Sequence, residues 1–427
     1  MKEYLMPKMV SLFSWLLIFN IFAGGFVLFV VPFEFSVSYI SVSLFLIYHI
    51  YRYRSICINR NFLIVLMVLA SFSLINIYFG KNTFFFMTKQ LLGISLTALA
   101  YYSLIKINNY DIDKLFKIYL RLALIVASIG IFQEFSRLIN FKIGYDYSFF
   151  IPKWYLEQTT WGPLIRINSI CLEPSHFGIV MSPASFVALF SILGNKSFYY
   201  GKVASAVILL SMILTFSGVA YIALLLSLLL FLRIGIKKLR YLPILLIPLF
   251  VYSAYYFIPE IRLRLNDTVA VITGKHKPID INLSTYALAT NSFVAYKAFR
   301  ESPLFGHGLG SHPVSYDKFL YSLDKTDGFW KNMVDSPNRM DAGSLFLRLI
   351  SETGFLGIAV IFYFIFRFYV KRGNKSNIKI MNDAVFILLI LQLLRQGHYF
   401  YNGLFFFVWL YYFSYKIHKG SAAQSNL

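Results

Sequence analysis

A cation, an acid and a base lie close together at Arg166, Glu173 and His176, just before a long apolar run. Pro174 suits the first turn of a helix, where its missing N–H costs nothing, so a helix is expected to begin at Glu173–Ser175. The free N–H groups and the positive dipole end of such a helix form an anion site. Arg166 could fork onto a phosphate, and Glu173 or His176 could accept a proton. The pattern favours a catalytic site for an anionic substrate, although a dipole-stabilising glutamate and an interfacial histidine would have the same sequence.

A second polar cluster, Arg339 and Asp341, precedes another apolar run that itself begins with charged residues. Arg348 and Glu352 are four residues apart and therefore share one face of a helix. Either charge at mid-bilayer would cost about 3 kcal/mol unless it is paired or faces an aqueous cavity. We expect Arg339 to be catalytic and the other three to contact the substrate. The alternative for Arg348 and Glu352 is a structural pair near the outer end of the helix, with the arginine snorkelling.

A run rich in glycine, with Gly306, Gly308 and Gly310, follows Ser302-Pro303. Glycine permits a positive φ or a close approach of the backbone to another group. No Lys-Ser/Thr pair follows, so a nucleotide-type phosphate-binding loop is not predicted. A plain turn and a ligand contact both remain open. Three further polar side chains are candidate substrate contacts: Arg300, His307 and Arg395.

Two other patterns that could suggest a site have simpler explanations. Asp111 and Asp113 are spaced like the metal-binding carboxylates of nucleotide-sugar transferases, but an aspartate that caps a helix accounts for them. We therefore predict no metal and no cofactor. Trp154, Trp161 and Trp330 could stack on sugar rings, or they could anchor loops at the membrane interface.

The composition requires a membrane. The 427 residues are 58% hydrophobic and 14% charged, whereas soluble domains average about 45–50% apolar and about 25% charged residues. The apolar runs are continuous rather than alternating, which favours helices over strands. We predict an all-α polytopic integral membrane protein in which residues 1–427 form a single membrane domain.

Twelve transmembrane helices are predicted from the apolar runs, since a bilayer core of about 30 Å takes roughly 20 helical residues. The first run is too long for a signal peptide and should remain as a span. The seventh and eighth could instead form one long helix, but only twelve spans place nearly all the Lys/Arg clusters on one side. The predicted spans are about 10–31, 36–51, 62–79, 86–105, 118–135, 177–194, 199–215, 218–234, 241–258, 344–366, 382–397 and 402–415.

The charge pattern also predicts sidedness. Both termini should be cytoplasmic, which leaves two large external loops at 136–176 and 259–343. The formal net charge of +21 comes largely from short clusters between apolar runs, so no nucleic-acid partner is predicted. Cys57 and Cys171 fall on opposite sides and should not form a disulfide.

The polar clusters fall in or beside the two external loops, and local structure does not require the loops to meet. A single external active site for an anionic substrate would need at least two cations and a base around it. We therefore predict that Arg166 and Arg339 point into one outward-open cavity together with Glu173.

Four strings, in this order, resemble the O-antigen polymerase and ligase superfamily, which includes the Wzy-type polymerases. Two large external loops among twelve spans also match the polymerases. Ligase-like members usually carry His-Asn where this chain has Gly343 and Ser344, and the missing histidine favours a polymerase. The similarity runs from about Arg166 to Tyr411 and rests on Glu173-Pro-Ser-x-x-Gly178, Leu214-Thr-Phe-Ser217, Ser302-Pro-Leu-Phe-Gly-x-Gly-x-Gly310 and Leu347-x-x-x-Ser-Glu-Thr-Gly-x-Leu-Gly357.

The resemblance implies glycosyl transfer on the outer face of the cytoplasmic (inner) membrane. A growing glycan on undecaprenyl diphosphate would be moved onto another lipid-linked repeat unit, without a metal and with arginines stabilising the diphosphate leaving group. The implied partners are undecaprenyl-diphosphate-linked oligosaccharide, membrane lipid and a chain-length regulator protein. The alternatives are an O-antigen ligase-type glycosyltransferase and a non-enzymatic flippase or transporter. Transporter sites usually lie near the midplane between repeats, and the sequence has no clear repeat.

Overall fold

The computed structural model describes residues 2–29, 34–56, 58–159, 163–194, 199–235, 248, 252, 255–256, 259–273, 282–327, 337–371, 376–400 and 403–424. Most of these residues are helical. The helices are α1 (Lys2–Phe19), α2 (Val37–Tyr53), α3 (Arg60–Tyr78), α4 (Phe84–Ile107), α5 (Ile112–Leu138), α6 (Lys142–Tyr145), α7 (Pro174–Leu193), α8 (Lys202–Leu214), α9 (Gly218–Gly235), α10 (Pro259–Ile272), α11 (Leu283–Glu301), α12 (His312–Asp327), α13 (Leu345–Arg367), α14 (Asn377–Leu394) and α15 (Leu404–Gln424). Two short antiparallel hairpins accompany them, formed by strands β1 (Val27–Phe29) and β2 (Phe35–Ser36) and by β3 (Glu157–Gln158) and β4 (Ile165–Arg166).

Within the described residues, six helices are long and apolar enough to cross a membrane: α3, α4, α5, α7, α13 and α14. Three further apolar helices are shorter, namely Lys8–Phe19, Lys202–Leu214 and Gly218–Leu232. The prediction of a helical, multi-pass membrane protein is therefore confirmed. The count of twelve spans stays a prediction, and most of the ninth predicted span, 241–258, lies outside the described residues.

The first predicted span, 10–31, is wrong in its extent, because α1 ends at Phe19. Residues 20–26 form turns, and β1 then pairs with β2. Gly24 and Gly25 lie in these turns and oppose a continuous helix through the predicted span, since glycine is among the least favourable residues in a helix interior. A β-carbon at Gly25 would also lie only 2.8 Å from the side chain of Ile151. The apolar residues after α1 therefore pack against other parts of the protein instead of extending the helix.

A tight turn separates α8 from α9, which confirms the prediction of two helices at this place. α8 ends at Leu214 and α9 begins at Gly218. Phe216 has a positive φ of 46°, which reverses the chain direction between the helices. The Thr215 hydroxyl donates to the Met212 carbonyl and satisfies one carbonyl at the end of α8.

Helix α7 lies in the centre of the bundle and packs against α8, α9 and α14. Gly178 allows the close approach to α9, because a β-carbon there would lie 2.9 Å from the β-carbon of Ala220. On another side the Tyr119 hydroxyl of α5 donates to the Val180 carbonyl at 2.6 Å. These contacts hold the amino-terminal end of α7, and the residues just before it, in a defined position.

Both of the predicted external loops contain regular structure. In 136–176, α5 continues to Leu138 and is followed by α6 and the β3–β4 hairpin. In 259–343, the structure describes α10, α11 and α12. The side of the membrane on which these segments lie stays a prediction.

Candidate active site

Helix α13 is broken at Gly354, whose backbone (φ 60°, ψ −154°) lies in a region that is essentially restricted to glycine. The break leaves N–H and C=O groups of α13 without partners inside their own helix. The segment after α11 supplies the missing partners. The Phe355 N–H donates to the Pro303 carbonyl (2.8 Å), and the His307 N–H donates to the Ser351 carbonyl (2.9 Å). Two motifs that lie far apart in the sequence therefore form one unit joined by backbone hydrogen bonds.

The three glycines of the glycine-rich run have structural reasons for being glycine. Gly306, Gly308 and Gly310 all have positive φ. A β-carbon at Gly306 would lie 2.4 Å from the backbone carbonyl carbon of Glu352, and one at Gly310 would lie 2.5 Å from the Phe86 carbonyl oxygen. The backbone of this run therefore packs closely between α13 and α4. This packing favours a structural turn over a ligand contact at these positions.

Glu352 is buried and accepts four hydrogen bonds from described residues. The donors are Arg348 Nε (2.9 Å), the Tyr399 hydroxyl (2.9 Å), the Gly310 N–H (2.7 Å) and the His312 N–H (3.3 Å). Because the last two donors lie at the start of α12, the carboxylate also meets the positive end of that helix. Glu352 thus joins three segments and does not reach the surface, which favours its structural interpretation.

Arg348 is fully buried, so the alternative in which it snorkels to the surface is wrong. Besides its bond to Glu352, its Nη1 donates to the Gly397 carbonyl (2.9 Å), and its guanidinium lies 4.5 Å from the centre of the Tyr399 ring. These contacts hold the side chain inside the protein. Among the described residues, its Nη2 has no hydrogen-bond partner. Arg348 is therefore a fixed positive charge beneath the segment that follows α14.

Asp341 lies in a tight turn that is bound to this same segment. Its Oδ1 accepts hydrogen bonds from the Gly343 N–H and the Asn338 side-chain amide, both at 3.2 Å, while its Oδ2 lies 3.4 Å from Nε2 of His398. Burial acts to raise the pKa of Asp341, but His398, Arg348 and these hydrogen bonds together lower it below its ordinary value. The carboxylate is therefore negatively charged at neutral pH.

The amino-terminal end of α7 carries the first predicted cluster. As expected, Glu173 is the N-cap residue and Pro174 occupies the first turn. The Glu173 carboxylate accepts hydrogen bonds from the hydroxyls of Tyr155 (3.2 Å) and Ser175. His176 is almost fully buried one turn into the helix.

His398, between α14 and α15, lies near residues of both clusters. The charges of Glu173 and His398 both act on the His176 ring, and Oδ2 of Asp341 lies 3.4 Å from Nε2 of His398. We call the four residues Glu173, His176, Asp341 and His398 the polar junction. The structure thus brings together three of the predicted site residues, from two parts of the chain, through a histidine that was not among the predicted site residues.

The two predicted catalytic arginines are each paired with a carboxylate nearer in the sequence. Arg166 forms an ion pair with Glu157 across the β3–β4 hairpin. Arg339 donates to both oxygens of Asp317 on α12, with Nε at 2.6 Å from Oδ1. The contacts of the described residues do not join the two arginines to each other. Their convergence in one cavity with Glu173 stays a prediction.

The remaining predicted substrate contacts are dispersed. Arg300 is exposed on α11, with its guanidinium 6.0 Å from the centre of the Tyr296 ring. Burial, followed by the charge of Lys81, lowers the pKa of His307 to about 4, so this imidazole is neutral near pH 7. Arg395 is half-buried and lies against Gly343. Of these three, only Arg395 is close to the polar junction.

Sequence reasoning missed three charged or titratable groups near the junction. His398 lies three residues after Arg395, which is the residue of this segment that the sequence singles out. Lys89 on α4 and Glu34 before β2 both act electrostatically on His398. An isolated lysine inside an apolar run was the available signal for Lys89, because such residues are costly in a membrane unless they have a function or a partner.

The simpler explanations are favoured for most of the other patterns. Asp111 caps α5 by accepting a hydrogen bond from the Lys114 N–H (2.9 Å), as predicted. Trp154 is buried and donates to the Ser169 carbonyl, so its ring is not open for stacking on a sugar. Trp161, Trp330 and Cys57 lie outside the described residues. In the part of the chain that the structure describes, no group of three His, Cys, Asp or Glu residues could hold a metal ion.

Comparison with known families bears on what this site does. A sequence model of the O-antigen ligase family matches residues 203–362, which include nearly all of α8, the helices α9 to α12 and most of α13. The resemblance to the O-antigen polymerase and ligase superfamily is confirmed. It points to a membrane glycosyltransferase of the O-antigen ligase or polymerase type. A search of curated proteins found none that matches the chain.

Proposed function

We propose that this chain polymerises undecaprenyl-diphosphate-linked oligosaccharide repeat units into a surface polysaccharide. The transfer would occur on the outer face of the cytoplasmic membrane. The observation that carries this proposal is the polar junction, where carboxylates and histidines from the start of α7, the segment before α13 and the segment after α14 lie near one another and near the buried Arg348. A site of this composition suits a substrate that carries a diphosphate leaving group and a sugar hydroxyl nucleophile.

The proposed reaction needs few groups from the protein. The acceptor hydroxyl oxygen forms a bond to the anomeric carbon of the donor glycan, and the bond between that carbon and the diphosphate oxygen breaks. The hydroxyl proton passes to a base, and the bonding electron pair leaves with the diphosphate. Cations stabilise the developing charge. Arg166 and Arg339 are the proposed cations, and Arg348 contributes a fixed positive charge at the junction.

An apolar groove between α11 and α13 supports a lipid-linked donor. It has a volume of about 500 Å³. Because α13 is long and apolar enough to cross a membrane, the groove can accept part of an isoprenoid chain while the diphosphate stays near the charged residues that begin α13. We propose that the donor lipid lies here. The lining residues are Ser292, Ala295, Tyr296, Phe299, Phe346, Leu347, Ile350, Phe355, Ile358, Ala359 and Phe362.

An O-antigen ligase is the second candidate, and two observations favour it. The matching family is described as O-antigen ligase. The sequence argument against a ligase was the histidine missing at Gly343, but His398 reaches the neighbouring Asp341 from another segment. A ligase would use the same donor and the same bond changes, with a different acceptor.

A deletion strain separates these functions by the lipid-linked glycans that accumulate. Loss of a polymerase should leave single repeat units on lipid or on the final acceptor, while export continues. Loss of a ligase should leave long polymer on undecaprenyl diphosphate. Loss of a flippase should leave repeat units on the cytoplasmic leaflet. Long polymer on the carrier lipid would contradict our first proposal, and complementation with the wild-type gene provides the control.

A further inference from the structure

His398 and Asp341 form a pair in which one partner is buried and the other is partly exposed. The Asp341 side chain is 10% exposed, whereas the His398 side chain is 37% exposed, and Nε2 lies 3.4 Å from Oδ2. A histidine that is oriented by a buried carboxylate is a common arrangement for a general base. In the absence of substrate, such contacts are often longer than in the reactive complex.

The backbone on both sides of His398 is fixed. The Gly397 carbonyl accepts from Arg348, and a β-carbon at Gly397 would lie 1.4 Å from the Asp341 carbonyl oxygen, so only glycine fits. On the other side, the Tyr399 hydroxyl donates to Glu352. The imidazole therefore projects from a segment that is anchored to α13 before and after it.

Asp341 is equally well positioned to orient the ring. Its Oδ1 is occupied by the Gly343 N–H and the Asn338 amide, which leaves Oδ2 directed at the histidine. Because the carboxylate is charged at neutral pH, it would favour the ring form that carries a proton on the facing nitrogen. The other ring nitrogen would then be the one that accepts a proton.

The other members of the junction are less suited to this role. His176 is 1% exposed, so a sugar hydroxyl would have to enter the bundle to reach it. Glu173 is partly exposed, but both of its oxygens accept hydrogen bonds from hydroxyl groups. The carboxylate is therefore already engaged at both oxygens.

We propose that His398, oriented by Asp341, is the general base that takes the proton from the acceptor hydroxyl as that oxygen bonds to the donor's anomeric carbon. This assignment rests on the glycosyl transfer proposed above. His398 is then a catalytic residue, and Asp341 is a positioning residue.

The surroundings of His398 predict a pH dependence. Burial is the largest influence and lowers its pKa from the ordinary value, and the neighbouring charges act in both directions. A base must be unprotonated, so activity should be lost as the pH falls through this lowered pKa, below an ordinary histidine value of about 6.5. The charged or titratable groups that face His398 are Asp341, Arg348, Glu34, Lys89 and His176.

The test uses purified full-length protein in vesicles, with lipid-linked repeat units extracted from the deletion strain as both donor and acceptor. His398→Gln should lower the turnover rate by about 10²–10⁴-fold, the usual contribution of a general base, with little change in KM. The acidic limb of the pH profile should disappear as well. His418→Ala, a histidine substitution on α15 away from the junction, is the matched control and should behave like the wild type.

Asp341→Asn tests the positioning role through the pH profile, which should not change if Asp341 only stabilises the fold. Removing the carboxylate removes an influence that raises the pKa of His398, so the acidic limb should shift to lower pH. The rate should fall less than in His398→Gln. An unshifted limb in Asp341→Asn, with normal thermal stability, would contradict the positioning role.

The outcomes separate the base assignment from the function on which it rests. If the wild type elongates the repeat units and His398→Gln elongates them equally fast, the assignment is wrong and the function stands. If the wild type does not elongate them, both are wrong. If His398→Gln is misfolded by thermal melting, His398→Asn is tested in the same way, and the pH profile of Asp341→Asn decides between the outcomes.

Discussion

Arg166 and Arg339 each face a carboxylate, and this pairing changes what their substitution would mean. An arginine that only holds its own loop together would be as sensitive to loss of the carboxylate as to loss of the guanidinium. An arginine that binds a diphosphate needs the carboxylate less, because the phosphate oxygens replace it as hydrogen-bond acceptors. The partners Glu157 and Asp317 therefore supply the controls that the sequence alone could not name.

We expect Arg166→Ala and Arg339→Ala to abolish polymer in cells without lowering protein abundance. Lysine at either position should restore polymer only in part, because a lysine ammonium cannot donate two parallel hydrogen bonds to phosphate oxygens as a guanidinium does. Glu157→Gln and Asp317→Asn should retain polymer. The measurement is the length distribution of the surface glycan together with the amount of membrane protein. If the arginine variants and the carboxylate variants lose surface glycan to the same extent, the two ion pairs have only a structural role.

At the scale of elements, the break in α13 explains why two separated motifs occur together. Gly354 interrupts the helical hydrogen bonds of α13. The run after α11 supplies hydrogen-bond partners for the backbone groups left without one. The same run presents the start of α12 to Glu352. The geometry of α13 near Arg348 and Asp341 therefore depends on a backbone contact that contains no catalytic side chain.

Gly354→Ala should destabilise the protein, since a non-glycine residue in this backbone region costs about 1–3 kcal/mol. The β-carbon would in addition lie 2.7 Å from the Pro303 carbonyl oxygen. Thermal unfolding in detergent measures the change. Gly420→Ala is the matched control, because a β-carbon at that exposed helical position meets no atom within 4 Å. A melting temperature as high as that of the control would contradict the proposed role of the break.

The groove between α11 and α13 offers a second test at this scale. Ala359 lines the groove, whereas the adjacent Val360 does not and is 51% exposed. Ala359→Phe should reduce polymer several-fold by occupying space for the donor lipid, and Val360→Phe should have little effect. Glycan length and protein abundance are measured for both. If both variants make glycan of similar length and amount, this groove is not the site of the donor lipid.

For the whole molecule, the central prediction is orientation in the membrane. In a chain with Cys57 and Cys171 replaced by serine, a cysteine introduced at Asp327 should react with an impermeant reagent added outside. A cysteine at Lys375, which lies outside the described residues, should react only from the cytoplasmic side. The reason is the concentration of Lys and Arg on one set of connections. The reverse labelling pattern would invert the sidedness and the proposed location of the reaction.

Composition and local spacing determined much of this protein. Long continuous apolar runs require helices in lipid, and the start of α7 at Pro174 follows from the missing N–H of proline. The cap at Asp111 and the shared helix face of Arg348 and Glu352 depend only on neighbours within one or two turns. Such features are readable in the sequence because the atoms involved are close along the chain.

Only the tertiary structure decided which distant groups meet. His176 and Asp341 come near the same residue, His398, because α7, the segment before α13 and the segment after α14 pack together, and no local pattern encodes that packing. The carboxylate partners of the two arginines and the break at Gly354 depend in the same way on contacts between segments. Side chains that are adjacent in space but distant in sequence are set by how helices pack, so His398 became a candidate base only in the folded protein.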